Sequence, residues 1–162
     1  MSAGQDAAGR DVAERDVAEQ DVAARDAAPG RGPASVVVAV TDSAEGEHAL
    51  AHAFTEAQRL GTDLVVVNLK LGALDVSGAP EGLRMEVVDR RGRRSPGDAV
   101  LDVLRQRAGT VDRLVIGVRR RSPVGKAVLG SLSQELLMDA DVPVVAVTLP
   151  RERSGERDGR TA

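Results

Sequence analysis

No cysteine occurs in the 162 residues, and Trp and Tyr are absent as well. The first absence removes disulfides, thiolate zinc sites, iron–sulfur clusters and cysteine nucleophiles together. Phe54 is the one Phe, which leaves no platform for stacked nucleic-acid bases, carbohydrate shelves or cation cages. Only His48 and His52 are available for triads or paired-metal sites, so both are improbable. No charge of one sign dominates. The 22 basic and 25 acidic side chains leave a net charge of −3, and no global field points to nucleic acid. No apolar run reaches the roughly eighteen residues of a membrane span, and the polar, acidic N-terminal stretch does not read as a secretory signal. The expectation is a cytoplasmic protein that binds neither nucleic acid nor membrane.

What is present is aliphatic: 42% of the residues are hydrophobic, enough for one compact domain. The N-terminal 33 residues carry a five-residue repeat from Gln5 to Pro29 (QDAAG, RDVAE, RDVAE, QDVAA, RDAAP). On a helix a step of five turns successive Val residues by about 140°, so Val12, Val17 and Val22 form no stripe. A coiled-coil arm is excluded, and a disordered, low-complexity tail over 1–33 is expected. Pro29-Gly30-Arg31-Gly32-Pro33 ends it as a linker. From Pro150 to Ala162 the chain is polar and reads as a second solvated tail. The folded unit is expected over 34–149.

Within that unit strand and helix patterns alternate. Ser35–Val40, Leu64–Leu69, Met85–Val88, Arg113–Gly117 and Val142–Val147 read as strands, mostly continuous aliphatic runs of the kind buried on both faces of a parallel sheet. A helix follows the first strand, with Ala49, Leu50, Ala53, Phe54, Ala57 and Leu60 on one face, Asp42 or Ser43 as cap and Gly61 at its end. Ser95-Pro96-Gly97-Asp98 starts a second helix, whose apolar face includes Ala99, Val100, Val103, Leu104 and Ala108. Leu129, Leu132, Leu136 and Ala140 space a third. Lys70 to Gly82 is barely long enough for a parallel crossover, so a helix there must be short, irregular or absent. Pro143 lacks a ladder donor, which places the last strand at an edge or puts Pro at its first paired position. The order predicts an α/β fold with an open, doubly wound sheet and helices on both faces. In such sheets ligands bind beyond the carboxyl ends of the strands, where the strand order reverses.

The residues at that edge are Thr41-Asp42-Ser43 after strand one, Asn68-Leu69 after strand two, and Gly117 to Gln134 after strand four. The last stretch has glycines, Arg119 to Arg121, Lys126, and Gly130-Ser131 at a helix start, with Ser133 one turn on. Glycines, orphan amides and guanidinium groups are what a phosphate cradle requires. A flexible charged loop with an ordinary helix entry fits the same residues equally well. Two motifs fail. Gly125-Lys126 is followed by Ala127 and preceded by Arg120 where a P-loop needs Gly, and no G-x-G-x-x-G follows strand one. His48 and His52 share a helix face without a third ligand, so no metal site is expected. Arg90-Arg91-Gly92-Arg93-Arg94, flanked by acids, reads as a solvated loop. No carboxylate pair is arranged as general acid and base, and no catalytic residue is expected.

With Gly117, the nine residues between Arg120 and Gly130, Gly130-Ser131 and the Asp-Val-Pro-Val-Val-Ala-Val ending, the stretch from Ser35 to Val147 resembles the universal stress protein family. Its signature is Gly-x2-Gly-x9-Gly-Ser/Thr after strand four. The resemblance implies five parallel strands in the order 3-2-1-4-5 (the adenine nucleotide alpha hydrolase-like, Rossmann-like class), a homodimer through strand 142–147, and no enzymatic reaction. It further implies ATP, with Mg2+, or a related nucleotide at the carboxyl edge, held by Thr41, Asp42, Ser43, Asn68, Leu69, Gly117, Arg119, Arg120, Gly130, Ser131 and Ser133. Two positions depart from the family pattern. Arg120 replaces the second signature Gly, and Thr41 stands where nucleotide-binding members have Asp unless the match shifts to Asp42. The alternative is a nucleotide-free dimeric adaptor acting through protein contacts.

Overall fold

The structure, a computed structural model, describes residues 34–119 and 129–150. The pentapeptide repeat, the loop positions Arg120, Arg121 and Lys126, and the tail from 151 lie outside the described residues. The chain runs β1 (Ser35–Val40), α1 (Ala44–Leu60), β2 (Asp63–Asn68), β3 (Met85–Asp89), α2 (Pro96–Gln106), β4 (Val111–Gly117), α3 (Ser131–Asp139) and β5 (Val144–Val147). All pairings are parallel, as the alternation of elements predicts, and the order is β3-β2-β1-β4-β5, as the family resemblance implies.

Two apolar layers hold the sheet. Val36, Val38 and Val40 alternate toward α1, joined by Leu64, Val66, Ala49, Ala53 and Phe54. Val37 and Ala39 point the other way, toward Val100, Leu104 and Leu136 of α2 and α3. A central strand covered on both sides needs aliphatic residues at every position, which is why β1 carries no alternation. Each such valine contributes about 1.5–3 kcal/mol when it leaves water.

The helix ends follow local chemistry. Ser43 accepts from the Gly46 amide, and Gly61 closes α1 in the left-handed conformation at φ 63°. Ser95 accepts from the Asp98 amide, with Pro96 at the first helical position of α2. That helix ends at Gln106, so Ala108 lies in the turn beyond it and is exposed, while Leu101 supplies a buried position the periodicity did not mark. Leu129 and Ala140 flank α3 but pack against the same layer as its Leu136. β4 begins two residues earlier than the aliphatic run suggests, and β5 two residues later. β5 is an edge strand, and the Pro143 carbonyl accepts from the Leu114 amide at 2.9 Å, so Pro precedes the strand without breaking its ladder.

Residues 69–84 connect β2 to β3 with no helix. Leu74, Ala79 and Leu83 of this connection fold back onto the α1 side of the sheet. Among the described residues no helix is long and apolar enough to cross a membrane.

Candidate functional site at the carboxyl edge

The strand order reverses between β1 and β4, and there the backbone is packed unusually closely. A Cβ on Gly117, the last residue of β4, would land on the carbonyl of Glu45 and 3.0 Å from the Gly46 amide nitrogen. A Cβ on Gly46, in the first turn of α1, would land on the Thr41 carbonyl oxygen and 2.8 Å from the Thr41 hydroxyl. Two glycines thus let the β1–α1 turn fold directly onto the end of β4. Gly inside a helix costs about 1 kcal/mol relative to Ala, so Gly46 is tolerated because the close approach requires it. That unexplained helical Gly was the signal by which the sequence could have marked the position.

Within the turn, the Thr41 and Ser43 hydroxyls lie 3.0 Å apart and the Ser43 amide donates to the Thr41 carbonyl at 2.9 Å. Asp42 is exposed beside them. Its carboxylate and that of Glu47 lie 3.9 and 3.8 Å from the Lys70 ammonium, which reaches over from the end of β2. Across the crevice, the Arg119 guanidinium donates through Nε to Glu45 at 3.1 Å. Glu45 is buried, and the bond from Arg119, aided by backbone hydrogen bonding, holds its carboxyl below the ordinary glutamate range despite burial. Glu45, Gly46 and Lys70 were not marked in the sequence as site residues.

Asn68 and Leu69 sit at the same edge but turn inward. The Asn68 amide nitrogen donates to Asp89 at 2.9 Å and to the Gly72 carbonyl at 3.2 Å, and its oxygen accepts from the Lys70 amide. Leu69 belongs to the layer under α2. Asn68 thus stitches the ends of β2 and β3 together, while the Leu69 amide donates to the Val40 carbonyl of β1 at 2.9 Å.

The next element after the carboxyl end of β4 is α3. Gly130 is its N-cap and makes no side-chain cap bond, and no acid stands in the first turn. By contrast, α1 and α2 are capped by serine and carry acids in their first turns. The first amides of α3 therefore keep their partial positive charge toward the edge. Ser131 is exposed beside them and Ser133 is buried one turn further. A Cβ on Gly130 would meet nothing within 4 Å among the described residues. The structure brings Thr41, Ser43, Gly117 and Arg119 together. Arg120 lies outside the described residues. Among those described, no group of three or more His, Cys, Asp or Glu side chains converges as a metal site.

This architecture has relatives. A profile of the universal stress protein family matches residues 79–148. A universal stress protein of Mycolicibacterium smegmatis is 33% identical over 128 residues, which cover 69% of this chain and 95% of that protein. The structure of a universal stress protein from Archaeoglobus fulgidus superposes with a TM-score of 0.55 at 28% identity, over 70% of this chain and 97% of the other. A structure from the same organism, in complex with dAMP, shares the fold with a TM-score of 0.50 at 21% identity, over 70% and 96% of the two chains. With the sheet order, the glycine-lined switch point and a one-third identical relative in agreement, the chain belongs to the universal stress protein family.

Proposed function

We propose that the protein is a cytoplasmic, non-enzymatic nucleotide-responsive stress protein. It binds ATP or a related adenine nucleotide in the crevice between β1, β4 and α3, and it works as a homodimer joined through β5. The single observation that carries this reading is α3. Its N-terminus follows the carboxyl end of β4 in the chain, has no side-chain cap and no acid, and among the described residues leaves a Cβ on Gly130 with nothing within 4 Å. Gly130 and Ser131 would hold phosphate oxygens through amides and a hydroxyl, and Ser133 would support them. Thr41, Asp42 and Ser43 would face the ribose and base, with Gly117 closing the floor. Arg119 would add charge, as would Arg120. Mg2+ would enter on the phosphates. The dAMP complex of the archaeal family member supports adenine nucleotide as the ligand class.

A second reading, a nucleotide-free adaptor, is favoured by the internal use of site residues. Asn68 spends its polar atoms on its neighbours, and Arg119 is bonded to Glu45. The adaptor would act through surface apolar groups such as Met138, 82% exposed on α3. The deciding experiment is chromatography of small molecules released by denaturing freshly purified protein. Stoichiometric adenine nucleotide supports the first reading. Its absence, with no thermal shift in millimolar MgATP, overturns that reading and leaves the adaptor.

A further inference from the structure

β3 is the edge strand opposite β5, and its pairing with β2 fixes which of its backbone groups are free. The Arg84 carbonyl accepts from Leu64 at the start of the ladder, and the Arg90 amide donates to the Asn68 carbonyl at its end. Alternation then directs the backbone of Glu86 and Val88 at β2 and that of Met85, Val87 and Asp89 outward. Edges of this kind are ordinarily blunted by charged side chains, proline, a bulge or a covering element, and here Glu86 and Asp89 are the charged groups on the strand. Met85–Asp89 has no proline, the pairing with β2 runs without a register shift, and Val87 is 41% exposed.

A cleft lies on each face of this edge. On the α2 side a cavity of about 470 Å³ has Val88, Ala99 and Val103 in its lining with Arg90, Arg91 and Arg94, and its carboxylates Glu86, Asp89 and Asp102 are already bonded to Arg107, Asn68 and Arg94. On the other face, where the β2–β3 connection lacks a helix, a second of about 470 Å³ is lined by Leu74, Val76 and Val87, by Asp89 and Arg90, and by Asn68 and Lys70 of the carboxyl edge. Side chains of an added strand would alternate into the two clefts. The loop from β3 to α2 supplies the charge. Arg94 pairs with Asp102, but Arg90, Arg91 and Arg93 make no ion pair among the described residues. We propose that the β3 edge docks an extended, acidic peptide segment of a partner protein, which joins the sheet as a sixth strand. Pairing with a second copy of β3 is disfavoured, because antiparallel alignment about Val87 sets Arg84 opposite Arg90 at both ends. The proposal does not rest on nucleotide binding, although Asn68 and Lys70 of the carboxyl edge also border one of the clefts.

The test uses the full chain and a short fluorescein-labelled peptide of alternating Glu and Val, with a control bearing Lys for every Glu. The acidic peptide should bind at least about tenfold tighter by anisotropy. It should slow hydrogen exchange at the Val87 and Asp89 amides, and leave those of Glu86 and Val88 unchanged. Val87→Pro removes an outward amide that carries no ladder bond, so it should keep the fold and abolish binding. Arg91→Glu should weaken binding by about tenfold without touching the core. Equal affinity for the two peptides, unchanged exchange at Val87 and Asp89, or undiminished binding by folded Val87→Pro would each overturn strand addition. If Val87→Pro does not fold, the exchange pattern decides alone. Self-association that Arg91→Glu strengthens and Val87→Pro abolishes would assign the edge to a second copy and also overturn it.

Discussion

Gly117 and Glu45 meet backbone to backbone: a side chain on the last residue of β4 would strike the carbonyl that opens the first turn of α1. The family signature glycine at this position therefore has a packing role that is independent of any ligand. Neither element can shift, because each is also held by the central sheet. Gly117→Ala should destabilise the protein by about 1–3 kcal/mol in denaturant titration. Gly46→Ala should do the same, although alanine is the better helix former. An unchanged midpoint in either variant would show that the turn and β4 are not locked together.

Acidification should act through three carboxyls held below their ordinary values. Glu45 is lowered mainly by the bond from Arg119, Glu56 by that from Arg59, and Asp75 by the Ser77 hydroxyl and amide. A depressed folded value means the unfolded chain takes up the proton first. The stabilisation is thus complete above the ordinary carboxylate values of about 4 and disappears as pH falls through the lowered folded ones. Melting temperature should be insensitive to these groups between pH 5 and 7 and decline below about pH 4. Glu45→Gln should lower stability at pH 7 and show a shallower acid decline. A parallel decline would remove Glu45 from the account.

Nucleotide binding should be lost in Gly130→Val. Because nothing described lies within 4 Å of the added Cβ, the variant should melt near the unmodified protein, so lost binding reports on the crevice and not on folding. Ser131→Ala should weaken binding by about 1.5–3 kcal/mol in isothermal titration, the worth of one hydrogen bond to a charged group. Arg120→Gly restores the second family glycine. It should tighten binding if Arg120 obstructs the loop, and weaken it with loss of salt sensitivity if Arg120 grips phosphate. No change in any of the three, with the fold intact, would sink the nucleotide reading.

Dimerisation through β5 should be broken by a charge. Val145 is only half-buried yet packs against the α1 layer, so Val145→Asp would perturb the fold as well as an interface. Ala146 is exposed on the opposite face and separates the two effects. Ala146→Asp should sediment as monomer and keep its secondary structure by circular dichroism. A persistent dimer would place the interface elsewhere.

The tails should be dispensable for folding. The repeat lacks the apolar surface to offset ordering costs of about 1–2 kcal/mol per residue. Protein trimmed to Ala34–Leu149 should melt within a few degrees of the full chain by calorimetry. A large loss would mean that the repeat docks.

The sequence was most legible where one principle acted alone. Ser35–Val40 is buried on both faces, and its unbroken aliphatic run announces that directly. Ser43, Gly61 and Ser95 satisfy local backbone groups and were readable from a few residues each. Strand ends were less so, because β4 and β5 are trimmed or extended by their neighbours in the sheet. Within the site, glycines and hydroxyls stood out by type. Pairings such as Arg119 with Glu45, 74 residues apart, carry no local signature. The inward use of Asn68 is equally hidden, since it depends on Asp89 arriving from the next strand.

The helix-free connection from Leu69 to Arg84 has a consequence for how the molecule breathes. β1 and β4 each have a paired strand on both flanks, whereas β3 leans on β2 alone and is covered only by a loop on one face. Among the described elements, local opening should therefore start at this helix-free rim, with free energies well below global unfolding. Among the described residues, proteases should nick the chain first between Leu71 and Arg84. Insertions there should leave the four-stranded remainder able to hold its shape, which makes this rim the part of the described fold freest to change.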